Sequence, residues 1–85
     1  MTFQEKAIRI VFNYVNDHLE KTDTHVSVSI DDVYVVWACY ILGNFKCLIS
    51  TTLPDGMYYE VTYDRVRSCT YVDAYKKFDN VRIVD

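Results

Sequence analysis

The chain has 85 residues, of which 51% are hydrophobic and 25% charged, so it is expected to form one small globular domain spanning residues 1–85. The net charge of -3, with Lys76-Lys77 as the only adjacent basic pair, argues against nucleic acid as a partner, because phosphate binders cluster Lys and Arg. No apolar run is long enough to span a bilayer, so no membrane partner is expected.

Cysteine and histidine spacing gives little indication of reactive chemistry. The three cysteines, Cys39, Cys47 and Cys69, are widely spaced and no secretion signal is visible, which predicts free thiols in a reducing cytosol. There is no C-x-x-C pair, and neither His18 nor His25 stands at ligand spacing from a cysteine. We therefore expect no metal, no cofactor and no enzymatic activity.

The first element in chain order is an amphipathic helix from Thr2 to about Thr22. Thr2-x-x-Glu5 is a capping box, in which each side chain can bond an unpaired backbone N–H of the other residue. One apolar stripe follows at helical spacing, which predicts a single core-facing side. The stripe consists of Ala7, Ile8, Val11, Phe12, Val15 and Leu19. A polar connector to Asp32 comes next, and the alternation of Val26, Val28 and Ile30 indicates that part of it runs extended.

Three strands and two turns follow the connector. Val33–Leu42 is dense in Val, Tyr and Trp, which is typical of a strand, and Gly43-Asn44 is a two-residue hairpin signal. Phe45–Leu53 is the returning strand. Pro54-Asp55-Gly56 predicts a three-residue turn, because Pro presets φ and Gly takes the left-handed position that follows. Met57–Asp64 is then the third strand.

The two turn assignments agree on which side of the sheet is apolar. They place Leu42 opposite Phe45 and Ile49 opposite Val61, so the same alternate residues share one side. The side expected to receive the helix carries Val36, Ala38, Tyr40, Leu42, Phe45, Cys47, Ile49, Leu53, Met57, Tyr59, Val61 and Tyr63. The far side is expected to carry one row of Trp37, Ser50 and Glu60 and a neighbouring row of Val35, Thr52 and Tyr58.

The segment from Cys69 to Tyr75 fits two structures. As a fourth strand it places Tyr71, Asp73 and Tyr75 on the far side; Val81–Val84 then adds a short edge strand. As a helix it has the capping box Thr70-x-x-Asp73 and apolar residues at helical spacing, which are Tyr71, Ala74, Tyr75 and Phe78. The predicted fold is α+β, with the helix on one face of a three- to four-stranded antiparallel meander.

A four-residue loop before the fourth strand sets Glu60 opposite Asp73. Like charges directly opposed in a sheet destabilise it. Three explanations remain open: the register differs, Lys46 or Lys77 neutralises the carboxylates, or the pair holds a cation or shares a proton.

Three stretches, DVYVVW (Asp32–Trp37), STTLPDGMYYEVTY (Ser50–Tyr63) and DAYKKFDN (Asp73–Asn80), resemble an uncharacterised family of small proteins encoded by phages and prophages of Gram-positive bacteria. The resemblance runs from the helix to the end of the chain. It implies no activity, cofactor or catalytic residue, and it favours the strand structure for Cys69–Tyr75. Family members carry an Asn-Gly-Asp-like turn where this chain has Asp64-Arg65-Val66-Arg67, which is a departure from the family pattern.

The aromatic far side is the candidate binding surface. Tyr and Trp are enriched in protein interfaces because they supply contact area at little cost in rotamer entropy. We expect a non-enzymatic phage accessory protein that binds a host macromolecule in the bacterial cytoplasm, for example to block a defence system, with a host protein or a second copy of the chain as partner. The alternative is a small-ligand protein that sequesters a nucleotide signal. The candidate contact residues are Trp37, Lys46, Ser50, Thr52, Tyr58, Glu60, Thr62, Tyr71, Asp73 and Tyr75.

Overall fold

The computed structural model describes residues 2–22, the last four by backbone alone, and residues 28–85; His25 and Val26, for which expectations were stated, lie outside this part of the chain. One helix is followed by a four-stranded antiparallel sheet in the order β1-β2-β3-β4. This confirms the α+β meander and the strand structure of the last segment. The elements are α1 (Phe3–Thr22), a 3₁₀ turn (Ile30–Asp32), β1 (Val33–Ile41), β2 (Asn44–Thr51), β3 (Met57–Asp64) and β4 (Cys69–Lys76).

Helix α1 begins and packs as its sequence predicts. The Glu5 backbone N–H donates to Thr2 Oγ1 at 3.1 Å, which is the first half of the capping box. The helix lies on one face of the sheet, called here the helix face; the opposite face is the far face. The buried core joins the helix stripe to the middle strands and consists of Ala7, Val11, Val15, Val28, Val33, Cys47, Ile49, Tyr59 and Val61.

The segment before β1 is tied down by side chains. Asn16 on α1 bonds both backbone groups of Val28, accepting from its N–H at 3.2 Å and donating to its carbonyl at 3.3 Å. Ser29 then caps the 3₁₀ turn, with its hydroxyl accepting from Asp31 N–H while Asp32 accepts from Ser29 N–H. Ser29 itself is extended, as expected for part of the connector, but the extended path does not continue through Ile30, because this capping box closes a turn there.

The loop of the β1–β2 hairpin lies one residue earlier than predicted, which shifts the pairing of the two strands by two residues. Its loop is Leu42-Gly43, with φ of 53° and 83°, so Tyr40 lies opposite Phe45. A two-residue loop with positive φ at both positions matches the right-handed twist of the strands. Asn44 lies in β2 instead of the turn, because its Oδ1 accepts the Arg65 backbone N–H at 3.0 Å. The shift of two residues preserves the face that each residue occupies from Trp37 to Ile41.

A β-bulge at Val36 reverses the facing of the first half of β1. Val35 lies opposite Ile49 and Trp37 opposite Leu48, so Val36 is the extra residue. Val35 therefore packs against the core and Val36 is 45% exposed. The prediction that Val36 faces the helix and Val35 faces away is wrong, since a simple alternation cannot anticipate an inserted residue.

The β2–β3 loop is longer than predicted. Ile49 lies opposite Tyr59, and residues 52–56 connect the strands. The Asp55 carboxylate accepts the Met57 N–H at 3.0 Å, an Asx turn that extends the Pro-Asp-Gly signal. Thr52 consequently lies in this loop and not on the far face, which corrects its predicted place. The predicted rows of Trp37 with Ser50 and of Val35 with Thr52 are wrong for the same reasons.

Strand β4 pairs with β3 as expected, but the chain after it does not return to the sheet. A four-residue loop, residues 65–68, sets Glu60 opposite Asp73. After β4 the Lys77 N–H donates to the Gly56 carbonyl at 2.7 Å, and residues 77–85 have no helix or strand. The edge strand predicted at Val81–Val84 is therefore wrong, because the chain leaves β4 without a reverse turn.

Candidate functional site

The far face carries three cross-strand rows of side chains, one residue from each strand, and two cross-strand pairs beyond them. Partners directly opposite each other share a face, so the register and the bulge determine which residues lie here. In order along the sheet the rows are Tyr34, Ser50, Tyr58 and Tyr75; then Trp37, Leu48, Glu60 and Asp73; then Cys39, Lys46, Thr62 and Tyr71; and finally two separate pairs, Ile41 with Asn44 and Asp64 with Cys69.

Large apolar and aromatic side chains lie along both outer strands of this face. Trp37 is 43% exposed and Ile41 64% exposed on β1, and Tyr71 and Tyr75 are 45% and 53% exposed on β4. The inner strands carry Leu48, Tyr58 and polar groups, which are half-buried apart from the buried Ser50 and the exposed Asn44. Apolar side chains that are exposed together on one face are typical of interaction surfaces, whereas a single exposed apolar residue is ordinary.

A lysine neutralises one carboxylate at the centre of the far face. Lys46 Nζ lies 3.2 Å from Glu60 Oε1, and the two side chains are 40% and 22% exposed. Glu60 lies opposite Asp73, as predicted. Of the explanations left open by the sequence, the geometry favours a cation of the chain itself, supplied by Lys46. Among the residues that the structure describes, no group of three His, Cys, Asp or Glu side chains is arranged to hold a metal ion.

Two shallow grooves lie at opposite ends of the far face. The first has a volume of about 440 Å³ beside the Leu42-Gly43 turn, and Ile41, Lys46 and Tyr71 are among its lining residues. A hydrogen bond to the Cys69 side chain raises the pKa of Tyr71, while Arg67 opposes the shift. The Tyr71 hydroxyl brings a group that can donate and accept hydrogen bonds to this groove.

The second groove, of about 400 Å³, lies at the end of the face near the Pro-Asp-Gly loop. Tyr34, Tyr58 and Lys77 line it together with loop residues. Ser50 also borders it, but Ser50 is buried and its hydroxyl donates to the Met57 carbonyl at 3.0 Å. That hydroxyl is therefore engaged in holding the β2–β3 connection.

The structure brings most of the candidate residues together. Ser50 is on the far face but buried, Thr52 is in the loop, and the remaining eight are half-buried or exposed on the far face. These eight are Trp37, Lys46, Tyr58, Glu60, Thr62, Tyr71, Asp73 and Tyr75. Their role as contacts stays a prediction. Tyr34 was missed because only the bulge at Val36 turns it to this face, and no residue in that stretch signals the bulge.

The thiols and the described histidine are not assembled into a nucleophilic site. Cys39 is exposed on the far face, whereas Cys47 is buried in the core, where burial, with a smaller effect from Cys39, raises the pKa of its thiol. His18 stacks on Tyr14 within α1, and its Nδ1 lies 2.8 Å from the Tyr14 carbonyl. A raised pKa lowers the thiolate fraction of Cys47 and hence its reactivity.

The fold and the surface define a small α+β protein with a helix on one face of an open antiparallel sheet and an aromatic far face. The chain belongs to DUF6275, a family of unknown function, whose model matches residues 4–85. No curated protein and no solved structure is significantly similar to the chain. No helix in the described ranges, 2–22 and 28–85, is long and apolar enough to cross a membrane.

Proposed function

We propose that the protein is a non-enzymatic binding module that contacts another protein through its far face. The observation that carries this proposal is the exposure of Tyr34, Trp37, Ile41, Tyr71 and Tyr75 on a face that no other part of the described chain covers. Burying one such side chain is worth roughly 1.5–3 kcal/mol. A partner that covers several of them therefore gains enough free energy to offset the entropy lost on association.

The distribution of polar groups supports a protein partner. A Lys46–Glu60 ion pair lies at the centre, and the Tyr71 and Tyr75 hydroxyls lie at the β4 edge. Protein interfaces combine aromatic anchors with hydrogen-bonding groups in this way, and charged groups at them fix register and exclude wrong partners. The chain's net charge of -3 favours a partner whose contact surface is neutral or basic.

The proposed partner is a protein of a bacterial host. The resemblance to phage and prophage proteins supports an accessory role in the host cytoplasm during infection, with inhibition of a defence system as one form of that role. The affinity-purification test uses the tagged wild type and a Trp37→Ser/Tyr58→Ser variant in host lysate, with captured proteins identified by mass spectrometry. A host protein retained by the wild type and lost with the variant is expected; identical capture by both would contradict the proposal.

The double variant also requires a folding control. Because the core lies on the helix face, we expect its circular dichroism spectrum and cooperative unfolding to resemble those of the wild type. The proposal is wrong if the wild type sediments as a monomer and captures no protein while the double variant is unfolded. In that case the far face is simply part of the core.

A second candidate function is the binding of a nucleotide signal, and the groove near the Pro-Asp-Gly loop favours it. Tyr34 and Tyr58 can stack a base there, and Lys77 can meet a phosphate. Thermal unfolding with a panel of mono-, di- and cyclic nucleotides tests it. A raised melting temperature that is lost in Lys77→Ala supports the nucleotide function, and no shift with any nucleotide counts against it.

A further inference from the structure

Strand β1 lacks most of the features that normally protect an exposed edge. It is nine residues long, VYVVWACYI, and contains no charged residue and no proline, and no other strand in the described part of the chain pairs with its outer side. Natural edge strands are kept from pairing with other chains by charges, prolines, bulges or short length. The bulge at Val36 is the one such device in β1. Strand β4, at the other edge, carries Asp73 and Lys76.

The chain exposes more accessible area than a typical compact monomer of its mass. Its accessible area is 6485 Å², whereas a monomer of 10.0 kDa typically exposes about 5,200 Å². Residues 77–85, which are exposed and have no helix or strand, account for part of this excess of roughly 1,300 Å², and a standard interface buries ~800 Å² per partner. Of the fourteen large apolar side chains exposed in the described residues, five belong to β1 and four to residues 78–84, so β1 contributes more than any other strand.

We propose that β1 pairs antiparallel with β1 of a second copy across a two-fold axis, forming one continuous eight-stranded sheet. A two-fold contact uses the same surface on both copies, and an antiparallel edge-to-edge pair satisfies that condition. Both helices then lie on the same side of the joined sheet and both far faces stay open. The proposal is thus independent of the function assigned to the far face.

The hydrogen-bonding pattern of the hairpin fixes the register of this contact. Ile41 and Asn44 flank the two-residue turn and form a hydrogen-bonded pair, so alternation along the ladder directs the backbone groups of Ala38 and Tyr40 to the open edge. The bulge limits regular pairing to Trp37–Ile41. A two-fold axis at Cys39, the centre of that segment, sets Ala38 opposite Tyr40 of the second copy.

The side chains at this edge are complementary in that register. Ala38 is small and exposed, and beside it an apolar groove of about 350 Å³ is lined by Phe3, Tyr40 and Phe45. Tyr40, which is 61% exposed, reaches from the second copy over Ala38 toward this groove. The reciprocal contact occurs by symmetry, so each copy inserts one ring and receives one.

Sedimentation analysis of the full chain over a range of concentrations tests the contact, using Ala38→Lys and Ala74→Lys. Both alanines are exposed on the helix face, one on each edge strand, so the second variant controls for an added charge. We expect a concentration-dependent dimer that Ala38→Lys weakens by about tenfold or more, because a long charged side chain then replaces the small one over which Tyr40 of the second copy packs. Ala74→Lys should change it by less than about twofold. A monomeric wild type, or equal effects of the two variants, would overturn the proposal.

Thiol cross-linking tests the register separately. A symmetric pair at Cys39 brings its two thiols within disulfide range, since directly opposed residues that do not share hydrogen bonds have Cα atoms about 4.5 Å apart. Mild oxidation should give a covalent dimer in the wild type and in Cys69→Ser, but none in Cys39→Ser. Cross-linking through Cys69 would overturn β1 pairing in favour of another contact. The same conclusion would follow if removal of residues 78–85 abolished the dimer while the Ala38→Lys variant remained dimeric.

Discussion

Replacing Lys46 by Met tests the account of the charged centre of the far face. At the observed 3.2 Å, two unit charges in bulk water attract by about 1.3 kcal/mol, and side-chain ordering consumes part of this. Exposed pairs are worth about 0.2–1 kcal/mol, and the 40% exposure of Lys46 places this pair in that class. The substitution also leaves Glu60 opposite Asp73 without a cation, which costs a further 0.2–1 kcal/mol or so.

We therefore expect Lys46→Met to lower the free energy of unfolding by about 1 kcal/mol in urea denaturation at low ionic strength. Adding Glu60→Gln to this variant should recover roughly half of the loss, because the carboxylate repulsion disappears. Salt of about 1 M should shrink the effect of Lys46→Met by screening. If Lys46→Met leaves stability unchanged, or Glu60→Gln fails to restore any of it, the proposed neutralisation is wrong.

Three further predictions concern the core, a turn and pH. Ile49→Ala should lower the free energy of unfolding by about 2–5 kcal/mol in urea, because Ile49 is fully buried at the centre of the sheet; a loss below about 1 kcal/mol would contradict this. Gly43→Ala should cost about 1 kcal/mol by the same assay, since φ is +83° and the new methyl would lie 2.6 Å from Arg65 Cδ; an unchanged midpoint would contradict the turn geometry. Burial is the main cause that raises the pKa of Cys47 above 9.0 and of Tyr59 above 10.0, so their contribution to stability is complete below about pH 9 and is lost as pH rises toward the folded-state values. Urea unfolding between about pH 8 and pH 10 should show this decline, with a shallower one in Cys47→Ala, and equal stability at both ends would refute it.

The helix and the facing of most strand residues could be predicted from periodicity. The stripe of Ala7, Val11 and Val15 and the alternation through Cys47, Ile49 and Val61 each follow from burial on one side. Both hairpin registers were wrong by two residues, and such a shift leaves the faces unchanged because the side-chain period is two.

The errors arose where a single local contact determined the structure. The general preference of Asn predicts a turn at Asn44, but its side chain bonds the Arg65 backbone in a loop that is distant in sequence. The bulge at Val36 had no signal in a run of apolar residues, and it decided that Tyr34 joins the far face. The Glu60–Asp73 pairing was predicted correctly because the length of the β3–β4 loop alone determines it.

The candidate surface was predictable in part. Most of its residues followed from strand parity, whereas the grooves at its two ends depend on the turn and loop conformations and had no sequence signal. Strand parity makes Lys46 both a candidate contact and one of two lysines able to neutralise Glu60. The structure selects it over Lys77, which lies beyond the end of β4.

The affinity of a purified, captured partner for three forms of the protein tests the central claim most directly. The forms are the wild type, Trp37→Ser/Tyr58→Ser and Phe78→Ser, the last being a fully exposed aromatic residue outside the sheet. We predict that the far-face variant binds at least about 30-fold more weakly, as expected for loss of interface anchors, and that Phe78→Ser binds within about twofold of the wild type. Equal affinity of the folded double variant and the wild type, or loss of binding only in Phe78→Ser, would contradict the assignment of the far face as the binding surface.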